Sequence, residues 1–277
     1  MPPLHVSFAQ GAGPSERWNR WEISRGRIEP SAEGLRLTTV DAQAGEYSNA
    51  QLDDYTGLPR RRFLWRPPLT LTVRARFSHP GFSPLDRQEP AAIDPAARLV
   101  GTAGFGFWND PFQFTEKRLP APPRALWFFY ASPPSDMKLD LHTPGWGWKA
   151  AAIDAGRLPF FLLLPTAPVA IPLMRLPAAY RRLWPIGQAA IGVAEALLSV
   201  DMTAWHTYTI RWEPRRAAFA VDGQEVLATA RPPRGPLGLV LWLDNQAMVV
   251  TPQGRFRHLV LDRPGRQWLE LAELTLE

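Results

Sequence analysis

The sequence lacks cysteine altogether, and it lacks the short motifs on which several common kinds of active site depend. Without a thiol, the chain forms no disulfide and no thiolate metal site. Its five histidines have no partner at metal-ligand spacing, so we predict no metal and no cofactor. A Gly-x-Ser-x-Gly elbow and a phosphate-cradling glycine loop are also missing, which argues against a serine-hydrolase site and a nucleotide site.

A leader pattern and a long uninterrupted apolar run are missing as well. The first residues, MPPLHVSFAQGAGPSERW, have no basic start followed by an apolar stretch, so we predict no signal peptide and a cytoplasmic protein. The most apolar segment is LPFFLLLPTAPVAIPLM at 158–174. It is shorter than the ~20 residues that a spanning helix needs, and prolines interrupt it. We therefore predict no membrane-spanning helix.

Lysine is rare, although the chain is basic, with a net charge of +5 and a pI of about 9.9. Almost all of the positive charge comes from arginine, in short runs at 60–62, 181–182 and 215–216. A nucleic-acid-binding protein more often concentrates its basic residues on one element with a recognisable motif. We see no such motif and predict no nucleic-acid partner.

Strand patterns dominate what is present. Many segments alternate apolar and polar residues or are rich in aromatics, and the 30 prolines argue against long helices. The predicted strands cover 34–40, 69–77, 102–108, 124–132, 137–142, 206–213, 216–223, 224–230, 237–245 and 268–277. Asp222-Gly223 is typical of a tight hairpin turn, and the last strand is expected to pair with the region 20–37. The spacing of these strands predicts an all-β sandwich that forms one domain over 1–277.

One segment, at about 155–203, interrupts the strand pattern. It contains the apolar run 158–174 and, after it, a predicted helix that begins at Pro185. A sandwich does not need such an insertion to fold. The sequence leaves three interpretations open: a buried loop and helix packed on the sandwich, a hydrophobic lid over a pocket, or a peripheral membrane contact through 158–184 beside Arg175, Arg181 and Arg182.

Several motifs fit one known pattern. The segment WHTYTIRWEPRRAAFAVDGQEV at 205–226 contains a Trp-His-x-x-Tyr-x-Ile-x-Trp strand followed by Phe-x-Val-Asp-Gly, and LGLVLWLDN follows at 237–245. Upstream are EYSNAQL at 46–52, LTVRARF at 71–77 and GFGFW at 104–108. Together they resemble the concanavalin A-like lectin/glucanase superfamily, most of all its family 16 glycoside hydrolases. The resemblance implies a jelly roll of two curved antiparallel sheets, with ligands lying across the concave one.

The catalytic Glu-x-Asp-x-(x)-Glu motif of that family is not recognisable. The resemblance places its strand between GFGFW and WHTYTIRW. The first candidate strand there, WFFYAS at 127–132, has no acid, which would remove the family's retaining mechanism. The second, SDMKLDLH at 135–142, would place its polar residues on one face of a strand. Its two aspartates would lie about 13 Å apart, so we favour a solvated strand face. It still supplies three catalytic candidates: Asp136, Asp140 and His142.

Aromatic and polar residues near the ends of the predicted strands are candidates for ligand binding. Flat rings stack on sugars and equally line apolar pockets, and short polar side chains beside them can orient a ligand. For Asn109 and Asp110, a turn into Pro111 is an equally good explanation. The candidates are Trp108, Asn109, Asp110, Trp127, Phe129, Trp146, Trp148, Trp242, Asp244 and Asn245.

Three functions follow from these patterns. The first is a non-hydrolytic protein that binds, and in some cases transforms, an apolar or amphipathic small molecule in an aromatic concave cleft covered by the hydrophobic insertion. The second is a lectin-like carbohydrate-binding protein. The third is a glycoside hydrolase with relocated acids. A closed apolar cleft would favour the first, an open groove with paired polar groups the second, and two carboxyl groups within about 6 Å the third.

Overall fold

The computed structural model describes residues 4–8, 17–86, 90, 93–112 and 119–277. The prediction about a leader concerned residues 1–18, of which 1–3 and 9–16 lie outside this description. In chain order the strands are β1 Leu4–Ser7, β2 Asn19–Ile23, β3 Gly26–Pro30, β4 Leu35–Ala42, β5 Asn49–Asp53, β6 Leu69–Phe77, β7 Thr102–Trp108, β8 Arg124–Ala131, β9 Gly147–Asp154, β10 Ala194–Leu197, β11 His206–Trp212, β12 Ala217–Val221, β13 Gln224–Thr229, β14 Gly238–Asp244, β15 Gln246–Val250, β16 Phe256–Val260 and β17 Arg263–Leu276.

Two large antiparallel sheets form a sandwich. The first has the order β13-β12-β11-β6-β17-β4-β3, and β1 pairs with β17 at its side. The second has the order β10-β9-β8-β7-β14-β5-β2. A separate hairpin joins β15 to β16. The predicted fold class, an all-β jelly-roll sandwich of two curved antiparallel sheets, is confirmed.

The core lies between the two sheets, and strict alternation directs residues into it. Along β6 every second residue, from Leu69 to Phe77, is buried, while the residues between them face outward. The facing strand β8 contributes Leu126, Phe128 and Tyr130 in the same way. Because the side-chain period of a strand is two, the other residues of β8 must lie on the opposite, concave face.

The hairpin between β12 and β13 turns as the sequence predicts. Asp222 and Gly223 have φ angles of 51° and 81°. Two consecutive left-handed residues give the type of tight turn that matches the twist of the flanking strands. The last strand is longer than predicted, and it pairs with β4 on one side and with β6 on the other. The predicted pairing with 20–37 therefore holds only at Leu35–Leu37, because β2 belongs to the second sheet and β3 pairs with β4.

The predicted strand at 137–142 is wrong. This segment is a loop that lies over the concave sheet, and only Asp136 makes a strand-like bridge, to Val249. Its four polar residues therefore do not share a strand face. Alternation over six residues was too short to distinguish a strand from a loop whose apolar residues, Met137 and Leu139, pack inward.

The insertion is helical, and it joins the antiparallel neighbours β9 and β10. It consists of α1 Leu158–Leu163, a 3-10 turn at Leu164–Thr166, α2 Ala167–Leu173 and α3 Pro177–Ala190. The predicted helix start at Pro185 is wrong, because the helix begins one residue after Leu176 with Pro177 in its first turn and contains Pro185. The interpretation of 158–174 as a buried loop is also wrong, since Met174 is its only buried residue. No helix in the described part of the chain is long and apolar enough to cross a membrane.

Candidate functional site

A cleft crosses the concave face of the second sheet, over β8, β7, β14 and β5. It encloses about 550 Å³, counting the space at its open mouth. Its lining residues are Tyr47, Gln51, Thr102, Trp108, Phe112, Trp127, Phe129, Met137, Val240, Trp242, Asp244, Gln246 and Met248.

Strand register builds the floor of the cleft. In one row Phe129, Gly104, Trp242 and Gln51 are direct neighbours on β8, β7, β14 and β5. In the next row Trp127 and Val240 flank Gly106. The rings lean over the glycines between them.

The two glycines of β7 are required by this arrangement. A Cβ at Gly104 would lie 2.9 Å from the Cη2 atom of Trp242, and one at Gly106 would lie 2.8 Å from the Cβ of Trp127. Both positions also approach carbonyl oxygens of β8 at 2.4 Å or less. The sequence GFGFW therefore alternates core phenylalanines with glycines that make room for the rings of neighbouring strands.

Four aromatic rings cover the floor as one surface. The rings of Trp127 and Phe129 are stacked, with centroids 5.3 Å apart and an interplanar angle of 24°. Trp127 also contacts Trp108 at 5.9 Å and Trp242 at 5.6 Å. The indole Nε1 of Trp108 donates a hydrogen bond to the Tyr55 hydroxyl at 2.7 Å, which turns its polar edge away from the cleft. The floor thus offers flat apolar area with few free polar atoms.

A polar group stands at one end of this floor. Asp244 is 1% exposed, and its Oδ1 accepts hydrogen bonds from the hydroxyl of Thr102 at 2.8 Å and the backbone N–H of Gln246 at 3.1 Å. Its Oδ2 accepts from Nε2 of Gln246 at 2.7 Å and from the Tyr47 hydroxyl at 3.3 Å. The Thr102 hydroxyl in turn accepts from the indole Nε1 of Trp242 at 3.0 Å, so this network also fixes a ring of the floor.

Burial raises the pKa of Asp244 to about 7, although the hydrogen bonds from Thr102, Gln246 and Tyr47 oppose the shift. Near neutral pH the group therefore exists in comparable amounts as acid and as carboxylate. It can donate a hydrogen bond in one state and accept one in the other. Burial, followed by the neighbouring Asp244, raises the pKa of Tyr47, which keeps its hydroxyl protonated.

The concave face of β8 carries no acid. Its residues there are Ala125, Trp127, Phe129 and Ala131, because Leu126, Phe128 and Tyr130 point into the core. Among the described residues that line the cleft, Asp244 is the only carboxylate. A retaining glycosidase needs two carboxyl groups about 5–5.5 Å apart. The described cleft therefore lacks the groups for that mechanism.

The three predicted catalytic residues lie outside the cleft. Asp136 forms an ion pair with Arg255, at 3.0 Å between Oδ2 and Nη2, and its backbone bonds to β15. Asp140 accepts hydrogen bonds from the backbone N–H groups of His142 and Thr143 and from the Gln188 side chain. Burial acts to raise the pKa of Asp140, but these bonds outweigh it and hold that pKa below its usual value. A carboxylate held ionised in this way is a poor general acid.

Five of the ten predicted ligand-binding residues line the cleft together: Trp108, Trp127, Phe129, Trp242 and Asp244. Two tryptophans do not. Trp148 is 3% exposed in the core between the sheets, where its ring lies 5.3 Å from that of Phe77. Trp146 packs in a separate small cluster with Phe82, Ile93 and Val100. The prediction that these two rings line the cleft is wrong, because Trp146 lies in the loop before β9 and alternation along β9 directs Trp148 into the core.

The remaining polar candidates hold loops in place. Asn245 Nδ2 donates to the carbonyl of Leu261 at 2.9 Å, and its Oδ1 accepts from the backbone N–H of Ser48 at 2.8 Å. Asn109 Oδ1 accepts from the backbone N–H of Arg124 at 2.9 Å. Asp110 is fully buried, with a φ of 46°, and its carbonyl accepts from the Arg60 guanidinium. The turn interpretation of Asn109 and Asp110 fits this geometry better than ligand contact.

Sequence reasoning missed most of the polar rim of the cleft. Tyr47 and Gln51 belong to EYSNAQL, a segment noted only for its resemblance to a family motif. Their alternation places Gln51 beside Trp242 on the concave face, which the strand pattern of 49–53 would have indicated. Gln246 and Met248 come from the β15–β16 hairpin, for which no strand was predicted.

The insertion covers the part of the concave face next to the cleft rather than the cleft itself. Its residues do not occur among the described lining residues of the cleft. The indole Nε1 of Trp184 donates to the carbonyl of Leu139 at 2.7 Å, which pins the loop 136–142 between α3 and the sheet. Beneath that loop, fully buried Lys149 pairs with Glu195, at 3.1 Å between Nζ and Oε1. The interpretation of the insertion as a hydrophobic lid directly over the cleft is therefore wrong.

The described residues contain no group of three or more histidine and acidic side chains arranged to hold a metal ion.

Comparison with known proteins finds similarity in structure but not in sequence. No family model and no curated protein matches the chain. A GlcNAcα1-4Gal-releasing endo-β-galactosidase from Clostridium perfringens aligns with a TM-score of 0.54 and 12% identity, covering 99% of this chain and 60% of that one. A structure described with endo-acting O-glycanases of the human gut microbiota aligns at 0.53 and 11%, covering 99% and 97%.

A pseudo β-1,3-glucanase of Mycobacterium tuberculosis aligns with a TM-score of 0.50 and 11% identity, covering 99% of this chain and 97% of that one. At such identities the similarity shows the fold alone. It confirms the predicted two-sheet sandwich fold, shared with these glycoside hydrolase structures, and it leaves the activity of this chain to its own site.

Proposed function

We propose that this protein binds an apolar or amphipathic small molecule in the concave cleft and does not cleave glycosidic bonds through a carboxylate pair. The observation that carries the proposal is that the concave face of β8 presents the rings of Trp127 and Phe129 to the cleft and carries no acid. Aromatic floors of this kind supply large buried area to a flat ligand. The single carboxyl at the end of the cleft, Asp244, suits recognition better than hydrolysis.

The chemistry of the cleft favours a ligand with two unlike parts. A flat or chain-like apolar part would lie on Trp127, Phe129 and Trp242. A hydroxyl or carbonyl group would reach Asp244, Gln51 or Gln246, since a few placed polar groups in an apolar pocket fix ligand orientation. Any transformation of the ligand would have Asp244 as its acid or base, because its pKa of about 7 suits proton transfer near neutral pH.

The test is native mass spectrometry of the purified protein, followed by organic extraction and identification of what is released. A co-purifying apolar or amphipathic molecule, displaced by N-phenyl-1-naphthylamine with quenching of tryptophan fluorescence, is the expected result. A protein that arrives empty and does not bind that probe in the cleft would contradict the proposal.

Carbohydrate binding is the second candidate, and one observation favours it. Trp242 lies beside the polar side chains of Gln51 and Thr102, an arrangement in which a sugar ring would stack and hydrogen-bond at once. A glycan array distinguishes the two functions. Saturable binding of an oligosaccharide that is lost in Trp242→Ala would favour this candidate over the first.

A further inference from the structure

The exposed face of the helical insertion is unusually apolar. We call it the insertion surface and define it by its exposed large apolar side chains: Leu158, Phe161, Leu162, Leu164, Val169, Leu173, Leu176 and Ile186. Leu162 is 67% exposed and Val169 is 73% exposed. Elsewhere in the described chain, exposed large apolar residues occur singly, as is normal for a protein surface. The concentration on one short segment therefore requires its own explanation.

Packing against the sandwich does not provide that explanation. The inner side of the insertion already makes contacts, through Phe160 and Trp184, with the cluster on the concave sheet. A helix that packs on a core normally turns polar residues outward. Here α1 and α2 are apolar on the inner and the outer side alike, which is typical of helices with a second apolar environment.

The charge of the segment has one sign. From 155 to 194 the sequence contains no aspartate or glutamate, and its only charged residues are Arg157, Arg175, Arg181 and Arg182. The last three are exposed. On α3, Arg182 lies four residues, about one helical turn, before exposed Ile186, so a cationic and an apolar side chain share one stripe.

We propose that the insertion surface docks in the plane of an anionic lipid bilayer. Leucine, phenylalanine and valine side chains would enter the boundary between headgroups and acyl chains, while the arginines would meet lipid phosphates. The segment lies on the membrane rather than spanning it, because the described chain has no helix long enough to cross. This proposal is independent of what the concave cleft binds.

A groove within the insertion fits the same occupant. It runs between α1, α2 and α3, measures about 1210 Å³ with its open side included, and is lined almost wholly by apolar residues. The tip of the β15–β16 hairpin closes one end, where Ile171 approaches Gly254. An acyl chain of the bilayer would fill such a groove without needing a polar partner.

A second copy of the chain is a less suitable partner. Two insertion surfaces placed face to face would bring arginines together with no acid on either segment to neutralise them. Like charges juxtaposed in an interface are costly. Charge complementarity therefore favours an anionic surface, and self-association becomes an outcome to be checked.

The test is flotation of the full chain with vesicles of phosphatidylcholine alone and of phosphatidylcholine with phosphatidylglycerol. We expect binding to the anionic vesicles, weakened by added salt because exposed charges are screened. The double variant Leu162→Gln/Val169→Gln should reduce the affinity by at least about tenfold. Arg181→Gln/Arg182→Gln should reduce it by about 30-fold on the anionic vesicles alone.

Matched controls lie elsewhere on the surface. Leu85→Gln/Leu119→Gln changes two apolar residues that are 65% and 85% exposed, and Arg61→Gln/Arg62→Gln changes an exposed arginine pair. All substituted residues are exposed, so folding should be retained, and circular dichroism checks it. Absence of vesicle binding, or equal losses in the controls, would overturn the proposal. A dimer abolished by Leu162→Gln/Val169→Gln without vesicle binding would assign the surface to a second copy instead.

Discussion

Each of the two sheets has a group of tryptophans on the face that points away from the core, and the two groups have different neighbours. On the concave sheet, Trp127 contacts both Trp108 and Trp242, and Gly104 and Gly106 lie on the strand between Trp127 and Trp242. On the other sheet the Arg36 guanidinium lies 4.4 Å from the ring of Trp268, and that of Arg76 lies 4.6 Å from the ring of Trp205.

The difference teaches what makes an aromatic surface available to a ligand. On the outer sheet each ring is already covered by a cation, and buried Glu270 holds both guanidinium groups in place. Those rings stabilise the network of charged side chains formed by Arg36, Arg76 and Glu270. On the concave sheet, no described cation lies over the rings of Trp127 and Trp242, so the faces of these two rings are available to contact something else. The same residue type is therefore covered by arginine on one face and lines the cleft on the other.

Carboxyl groups differ between the two faces in the same way. Glu270 and Asp244 are both almost fully buried. Burial acts to raise the pKa of Glu270, but hydrogen bonds from Ser31, Arg76 and Arg36 outweigh it and hold that pKa below its usual value. Asp244 has only neutral donors, and burial raises its pKa. Hydrogen bonds prevail over burial at Glu270, whereas burial prevails over hydrogen bonds at Asp244.

The largest expected effect is on the charged face. Glu270→Ala leaves two partly buried arginines without their carboxylate and should lower the free energy of unfolding by about 3 kcal/mol, measured by urea denaturation at neutral pH. In the wild type this contribution is complete above the unfolded pKa of about 4.3 and is lost as the pH falls further. The exposed pair of Arg216 and Glu225 provides the control, and Glu225→Ala should change little. Equal losses in both variants would contradict the difference between buried and exposed pairs.

The second effect concerns the uncovered rings. Trp127→Ala removes the ring that contacts Trp108, Phe129 and Trp242, and it should weaken binding of N-phenyl-1-naphthylamine by about 30- to 100-fold. Trp268→Ala, on the other sheet, should leave that affinity unchanged within about twofold while lowering stability. Ala170→Phe fills the groove of the insertion and distinguishes probe bound there from probe bound in the cleft. An affinity insensitive to Trp127→Ala but lost in Ala170→Phe would place the probe outside the cleft.

A smaller effect separates the two carboxyl groups by pH. Because the pKa of Asp244 is raised in the folded state, the unfolded chain releases this proton first as the pH rises. The group therefore lowers the free energy of unfolding progressively between about pH 4 and about pH 7. Asp244→Asn should flatten the stability profile in this window, as measured by urea denaturation across the range. A profile of unchanged slope would mean that Asp244 titrates normally.

For the two predicted catalytic aspartates we expect no effect on activity. Asp136→Asn and Asp140→Asn should not alter the hydrolysis of laminarin or lichenan, because we expect the wild-type protein to release no reducing sugar from either. The geometry supports this, since one aspartate is paired with Arg255 and the other caps a turn. Release of reducing sugar by the wild type that disappears in either variant would restore the glycosidase hypothesis.

Much of the fold was predictable from the sequence, because alternation survives in most of its strands. The ranges 69–77 and 102–108 agree with the structure at both ends. The errors lie where alternation is short or absent. In the loop at 137–142, apolar and polar residues alternate only because Met137 and Leu139 pack under the insertion. Strand β9 was missed because its run of alanines shows no alternation of apolar and polar residues. The helix at 177–190 was misplaced because Pro185 was read as a start rather than as an interior residue.

The candidate site was predictable only in part. The aromatic residues of β8, and the absence of acids among them, can be read directly from the sequence. These aromatic residues supply part of the floor of the cleft. The sequence does not show which tryptophans face the cleft. Trp146 lies in a loop and Trp148 lies in the core, and no local sequence pattern distinguishes these two from Trp108 and Trp242. The polar rim combines residues from β5, β7, β14 and β15, which are far apart in sequence.

The sequence by itself determined the class of fold, the tight turn at Asp222-Gly223, the loss of acids from WFFYAS and the one-signed charge of 155–194. These are local properties, fixed by side-chain period, backbone preference and composition. Only the tertiary structure decided that strand register would gather four rings into one floor with Asp244 at its end, that Asp136 and Asp140 would serve as loop contacts, and that the apolar insertion would face solvent. Those outcomes depend on contacts between residues distant in sequence, where burial and pairing, rather than residue type, set the role of each side chain.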